Sequence, residues 1–89
     1  MPKFLVTHPI GKELTVDAGT PVAKAVKAAS TMEAYWVKGW YARAEGRYYC
    51  EWDAKDAESV RKVLAKGAPD FPVEGVYEME MRFTAEDFR

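Results

Sequence analysis

The chain has one cysteine and one histidine, Cys50 and His8. A single cysteine excludes an internal disulfide and suits a reducing compartment, so a cytoplasmic protein is expected. A single histidine excludes any His–His zinc motif within one chain. An excess of one charge is missing too: 13 Lys and Arg stand against 14 Asp and Glu, a net charge of -1. That balance argues against nucleic acid or an anionic membrane as partner, because phosphate affinity comes mainly from Lys and Arg. No apolar run approaches the ~20 residues of a membrane span. The start, Met1-Pro2-Lys3-Phe4-Leu5-Val6-Thr7-His8, reaches polar side chains too soon for a secretory signal. Linkers, low-complexity tracts and solenoid-length repeats are also absent. What remains is globular: 48% hydrophobic and 13% aromatic content is too high for a disordered chain. At 89 residues, a single domain spanning 1–89 is expected.

Local signals give an order of elements. Lys3 to His8 reads as a strand closed by Pro9 and Gly11. Thr20-Pro21 supplies a hydroxyl cap and an N1 proline, so the first helix is expected to start at Thr20 rather than near Thr15. Val22, Ala25, Val26, Ala29 and Met32 then share one helical face. Aromatic-rich Tyr35 to Arg43 and the run Arg47 to Asp53 form a hairpin about Ala44-Glu45-Gly46. A second helix is expected from about Ala54 to Lys66, capped by Asp53, favoured by Asp56 and ended by Gly67. Its buried stripe is Ala57, Val60, Val63 and Leu64. After the connector Ala68-Pro69-Asp70-Phe71-Pro72, Val73 to Phe83 reads as the last strand. The order βαββαβ predicts an α+β, ferredoxin-like sandwich: a four-stranded antiparallel sheet with both helices on one face.

Alternation assigns the strand faces. In the last strand Tyr77, Met79, Met81 and Phe83 oppose Glu78, Glu80 and Arg82, and in the third Tyr48, Cys50 and Trp52 oppose Tyr49, Glu51 and Asp53. Each apolar set is expected to face the helices. The second strand breaks the pattern, since Tyr35, Val37 and Tyr41 share one face while Trp36 and Trp40 flank Lys38 on the other. Two tryptophans on an open sheet face point to an interface or a ligand site. A homodimer whose sheets meet through their open faces would bury them, at roughly 2–3 kcal/mol for each large aromatic side chain.

The same face gathers polar groups. Lys38, Glu51, Glu78, Glu80 and Arg82 project from it with Tyr49 and the tryptophans between them, and either Thr7 or His8 lies close to Glu51 and Glu78, depending on a one-residue register. His8 is the only side chain that ordinarily titrates near pH 7 and is a common metal ligand; a strand-end histidine bonded to backbone is the plainer alternative. Cys50 alternates with Tyr48 and Trp52 and reads as a small buried hydrophobe. The glutamates suit oxygen ligation or acid–base work if covered, and ordinary surface charge if solvated. Tyr77, Met79 and Met81 read as core, not as a thioether metal site. Arg61, Lys62 and Lys66 read as a solvated helix face.

The stretch Tyr48-Tyr49-Cys50-Glu51-Trp52-Asp53-Ala54-Lys55-Asp56-Ala57-Glu58-Ser59-Val60-Arg61 resembles a family of small ferredoxin-like bacterial and archaeal proteins. Most have no known function, and some are described as nickel-responsive or nickel-binding. The opening strand Pro2-Lys3-Phe4-Leu5-Val6, the pair Trp36-Val37 and the connector Phe71-Pro72-Val73-Glu74-Gly75-Val76 add to the resemblance. It implies a dimeric α+β barrel. Many members have a histidine shortly after the Trp-Val pair and another in the second helix, where this chain has Lys38 and Lys62-Val63. Ammonium cannot ligate Ni(II), so an intact family nickel site is not expected; a variant divalent-metal site using His8 and Glu51 is the metal reading that remains.

Three functions compete. The first is a non-enzymatic homodimer holding a small ligand or divalent metal between its sheets, with Trp36, Trp40 and Tyr49 as walls and Lys38, Glu51, Glu78, Arg82 and His8 as polar groups. The second is a cofactor-free enzyme of the isomerase or monooxygenase type found among dimeric α+β barrels, an analogy of fold alone. The third is a structural or regulatory dimer without ligand.

Overall fold

The computed structural model describes all of residues 1–89. Its elements run β1 (Lys3–Pro9), α1 (Val16–Ala29), β2 (Ala34–Ala42), β3 (Arg47–Ala54), α2 (Ala57–Gly67) and β4 (Gly75–Met79), with 3-10 turns at Arg43–Glu45 and Ala85–Phe88. The strands form one antiparallel sheet in the order β2-β3-β1-β4. This is the expected ferredoxin-like arrangement, with β1 central between β3 and β4. No helix is long and apolar enough to cross a membrane.

The core lies between the sheet and the helices. Phe4 and Val6 of β1, Cys50 and Trp52 of β3, Val26 of α1, and Val60, Val63 and Leu64 of α2 are buried there. Trp52 is fully enclosed. Gly67 lets α2 close on α1, since a Cβ at that position would come within 2.9 Å of the Val26 Cα. At the hairpin, Gly46 takes φ +69 and accepts a bond from the Gly11 N–H at 2.9 Å, joining the turn to the loop after β1. A side chain at 46 would be strained there and would press on Gly11.

Both helices start elsewhere than expected. The cap of α1 is Thr15, whose Oγ1 accepts from the Ala18 N–H at 3.1 Å. Thr20 lies inside the helix, its hydroxyl donating back to the Val16 carbonyl at 2.7 Å. Asp17 in the first turn adds favourable charge at the positive end of the helix. Pro21 is accommodated inside α1, and Met32 lies beyond its end, 92% exposed. For α2 the cap is Asp56, which accepts from the Ser59 N–H at 2.8 Å, because Asp53 and Ala54 still belong to β3.

Two strand faces are corrected. In β2 the pairing with β3 shifts between Trp36 and Lys38, leaving Val37 as an extra residue. This bulge reverses the alternation beyond it. Trp36 lies opposite Trp52 and packs on the core, while Lys38 and Trp40 lie opposite Glu51 and Tyr49 on the open face. In β4 the phase is inverted. Val76 pairs with Val6 and packs against the core, whereas Tyr77 and Met79 pair with Leu5 and Lys3 on the open face. Glu78 pairs with buried Phe4 and so lies on the helix side, at an exposed edge. The strand ends at Met79, and Met81 at φ +50 turns the chain away, so Glu80, Met81, Arg82 and Phe83 are not part of the sheet.

Candidate functional site

The sheet separates two regions that had been expected to be one. On the open face, three strands bring charged groups together. Lys3 Nζ contacts Glu51 Oε2 at 2.6 Å and Asp53 Oδ1 at 2.7 Å, and Lys38 Nζ lies 4.0 Å from Glu51 Oε1. Hydrogen bonds that Lys3 donates to Asp53 and Glu51 raise its pKa, and the Lys3 ammonium in turn holds the Asp53 carboxyl below its usual range. Further along, Arg47 grips Glu74 through two bonds of 3.1 and 2.8 Å, and the Thr7 hydroxyl donates to Glu74 Oε1 at 3.3 Å. The Tyr49 hydroxyl donates to Glu45 Oε1 at 2.9 Å.

Apolar side chains surround these ions. Tyr35, Trp40, Tyr77 and Met79 are each 42–49% exposed. The Lys38 ammonium lies 5.5 Å from the centroid of the Trp40 ring, a cation–π distance. Of the residues expected on this face, the structure unites Lys38, Trp40, Tyr49, Glu51 and Asp53. It removes Trp36, Glu78, Glu80 and Arg82, and it adds Lys3, Leu5, Tyr35, Tyr77 and Met79.

His8 lies on the other side, facing the helices with no exposed surface. The register decides this: β1 pairs Val6 with Cys50 and His8 with Tyr48, so Thr7 takes the open face. The ring sits 4.9 Å from Phe71 and 6.2 Å from Tyr48 between centroids. Its Nδ1 bonds the Pro72 carbonyl at 2.9 Å. A carbonyl only accepts, so Nδ1 carries the proton of the neutral ring and Nε2 keeps a lone pair. Burial lowers the His8 pKa, outweighing the opposing effect of the Pro72 bond. His8 and Glu51 therefore lie on opposite faces of the sheet and cannot ligate one ion within a chain.

His8 Nε2 is fully enclosed and has no partner. The residue lies at the back of an open cavity of about 270 Å³ between α1, β2, β3 and the Phe71 connector. Val22, Val26, Trp36, Tyr41, Tyr48 and Cys50 form much of the remaining wall. The rim is fixed by β2. The Tyr41 hydroxyl donates to the Gly11 carbonyl at 2.6 Å and accepts from the Leu14 N–H at 3.3 Å. Arg43 donates to the carbonyls of Lys12 and Leu14 at 2.9 and 3.0 Å. Burial pushes the Cys50 thiol up to about 12, against the smaller opposing effects of the Trp36 and Trp52 indoles, so it is no nucleophile or thiolate ligand at neutral pH. Sequence reading missed the cavity because its wall joins separate elements; an isolated histidine beside an aromatic-rich hairpin was the available signal.

An antiparallel four-stranded sheet with two helices packed on one face and an open second face defines the class: a ferredoxin-like α+β protein. The chain belongs to the family described as "Nickel responsive protein SCO4226-like", whose family model matches residues 4–79. A crystal structure of SCO4226 from Streptomyces coelicolor A3(2) superposes with a TM-score of 0.78 at 19% identity, covering 91% of this chain and 99% of that one. At that identity the likeness shows the fold. No curated protein matches the chain.

The family description raises nickel, and the residues can be tested against it. No three His, Cys, Asp or Glu side chains converge on a point. The one imidazole is on the helix side, and the open-face carboxylates are already engaged by Lys3. Ni(II) favours nitrogen donors, and lysine ammonium groups offer none. The donor set of a single chain does not fit the metal.

Proposed function

We propose that the protein is a non-catalytic binding module that works as a homodimer, two copies meeting through their open sheet faces. The observation that carries this reading is the uncovered face itself, where Leu5, Tyr35, Trp40, Tyr77 and Met79 surround charges that are already paired. Lys3 and Lys38 balance Glu51 and Asp53, and Arg47 balances Glu74, so this face can approach its own copy without net repulsion. An isologous contact needs such self-complementarity. Trp40 is 49% exposed, so completing its burial is worth on the order of 1 kcal/mol. The dimer thus depends on the neighbouring tyrosines, Leu5 and Met79 as well. A His8–Glu51 metal centre within one chain is not part of this reading, because the two residues lie on opposite faces of the sheet.

Sedimentation velocity tests the assembly. Wild-type protein is expected to sediment as a dimer at micromolar concentration. Trp40→Glu, which sets a carboxylate beside Glu51 and against its own copy, is expected to sediment as a folded monomer. A wild-type monomer across the concentration range would overturn the proposal.

A further inference from the structure

The cavity under α1 lies within one chain, on the helix side of the sheet, so its behaviour is independent of assembly through the open face. We propose that residues 15–20, the opening turns of α1, are a hinged lid over this cavity. The segment unwinds as a unit, α1 restarts at Thr20-Pro21, and the inner wall at Val26 becomes reachable from solvent.

Little holds the segment down. Residues 15–18 and Thr20 are exposed, Val16 at 84%, and Gly19 is only partly covered, so the segment contributes no side chain to the core. Yet Leu14, Thr15, Val16, Gly19 and Thr20 all line the cavity, and Val26 behind them is 6% exposed. Its flanks, by contrast, are fixed. Leu14 is held through both backbone groups, its N–H by the Tyr41 hydroxyl at 3.3 Å and its carbonyl by Arg43 at 3.0 Å. On the other side Val22, Val26 and Ala29 pack on the core. A six-residue helical stretch spans about 9 Å and extends to about 20 Å, so the segment can swing clear while both ends stay in place.

The helix also contains two competing starts. In the closed form Thr15 is the cap, its Oγ1 accepting from the Ala18 N–H at 3.1 Å, and the Gly19 N–H donates to the Thr15 carbonyl at 2.9 Å. Thr20-Pro21 is a second cap, followed by a proline whose φ is preset for a first helical position. Pro21 has no N–H, so the Asp17 carbonyl lacks its helical donor and the ladder is already interrupted where the two halves join. On unwinding, the Thr20 hydroxyl leaves the Val16 carbonyl and is free to accept from the Ala23 N–H, which replaces part of what is lost. Gly19 regains backbone freedom at the same step.

Native-state amide exchange of the full chain, read by NMR, tests the lid. Gly19, Thr20 and Val22 are expected to exchange through one shared opening. Protection should then step up at least tenfold at Lys24, the first amide bonded within the shortened helix. Gly19→Ala should make the opening about threefold rarer, because the added Cβ meets only Leu14, at 3.7 Å. Thr15→Ala removes the closed-form cap and should make it about fivefold more frequent. Thr20→Val keeps the branched shape but removes the second cap, and should make the opening about fivefold rarer without moving the Val60 amide, which reports global unfolding. Simple fraying predicts no such protection, since that variant only loses its bond to Val16. In Val26→Cys, modification of the new thiol by methyl methanethiosulfonate should follow the Gly19 amide and slow to the same degree when Thr20→Val is added. A smooth rise in protection along α1, opening unchanged or faster in Thr20→Val, or thiol modification no faster than Val60 exchange would each overturn the proposal.

Discussion

At the scale of single residues, His8 carries the most information. The same side chain could have been an exposed ligand or a buried acceptor, and a one-residue register decides between them. With Val6 opposite Cys50, His8 is enclosed by Phe71 and Tyr48 and kept neutral. Stability should record this. The unfolded chain takes up a proton on His8 near pH ~6.5, whereas the folded chain resists it until lower pH. His8 thus contributes stability that is fully present above ~6.5 and is lost as pH falls through that value toward the folded pKa. Asp53, Asp56 and Glu74, held low by Lys3, Ser59 and Arg47, lose their contribution only in more acidic solution. Urea midpoints should therefore fall between about pH 7.5 and 5.5 in wild type and change much less in His8→Phe. An equal fall in both would show that His8 is not the group responsible.

At the scale of elements, the α2 face was legible and the α1 face only in part. Val22, Val26 and Ala29 pack on the core, whereas Ala25 is exposed and Met32 lies beyond the helix. The stripe Val60, Val63, Leu64 of α2 is buried as its spacing predicts, and the third strand turns Cys50 and Trp52 inward as expected. The β2 bulge was not legible because no glycine or proline marks Val37; only pairing with β3 reveals the extra residue. The β4 phase misled for a different reason. Both phases contain apolar side chains, and register with β1 selects Val76 rather than Tyr77 for the core. Of the candidate site, the open-face cluster of Lys38, Trp40, Tyr49 and Glu51 could be read from alternation, whereas the cavity requires α1, the hairpin and the Phe71 connector to be placed together. Gly39 is the element-scale test of that hairpin. The Tyr48 ring lies against it, and a Cβ at 39 would come within 2.7 Å of Tyr48 Cζ. Because Tyr48 is stacked on Tyr41 and edge-on to Phe71, it has little room to move. Gly39→Ala should cost about 1–3 kcal/mol by overpacking, read as a lower urea midpoint. An unchanged midpoint would mean the ring gives way freely.

At the scale of the whole molecule, the sheet works as a partition. One face carries paired charges and aromatic rings suited to a second copy, and the other holds the core and a largely apolar cavity under α1. Neither side gathers the nitrogen-rich donors that nickel prefers, although the chain belongs to a family described as nickel responsive. Family membership and site chemistry thus point in different directions: the one imidazole, His8, is turned inward, and the open-face carboxylates Glu51 and Asp53 are paired with Lys3. Native mass spectrometry of the wild-type chain, before and after exposure to nickel and desalting, tests the account most directly. The expected result is a homodimer of unchanged mass that retains no metal. A dimer keeping about one nickel per chain, lost in His8→Ala, would contradict the account, as would a chain that stays monomeric throughout.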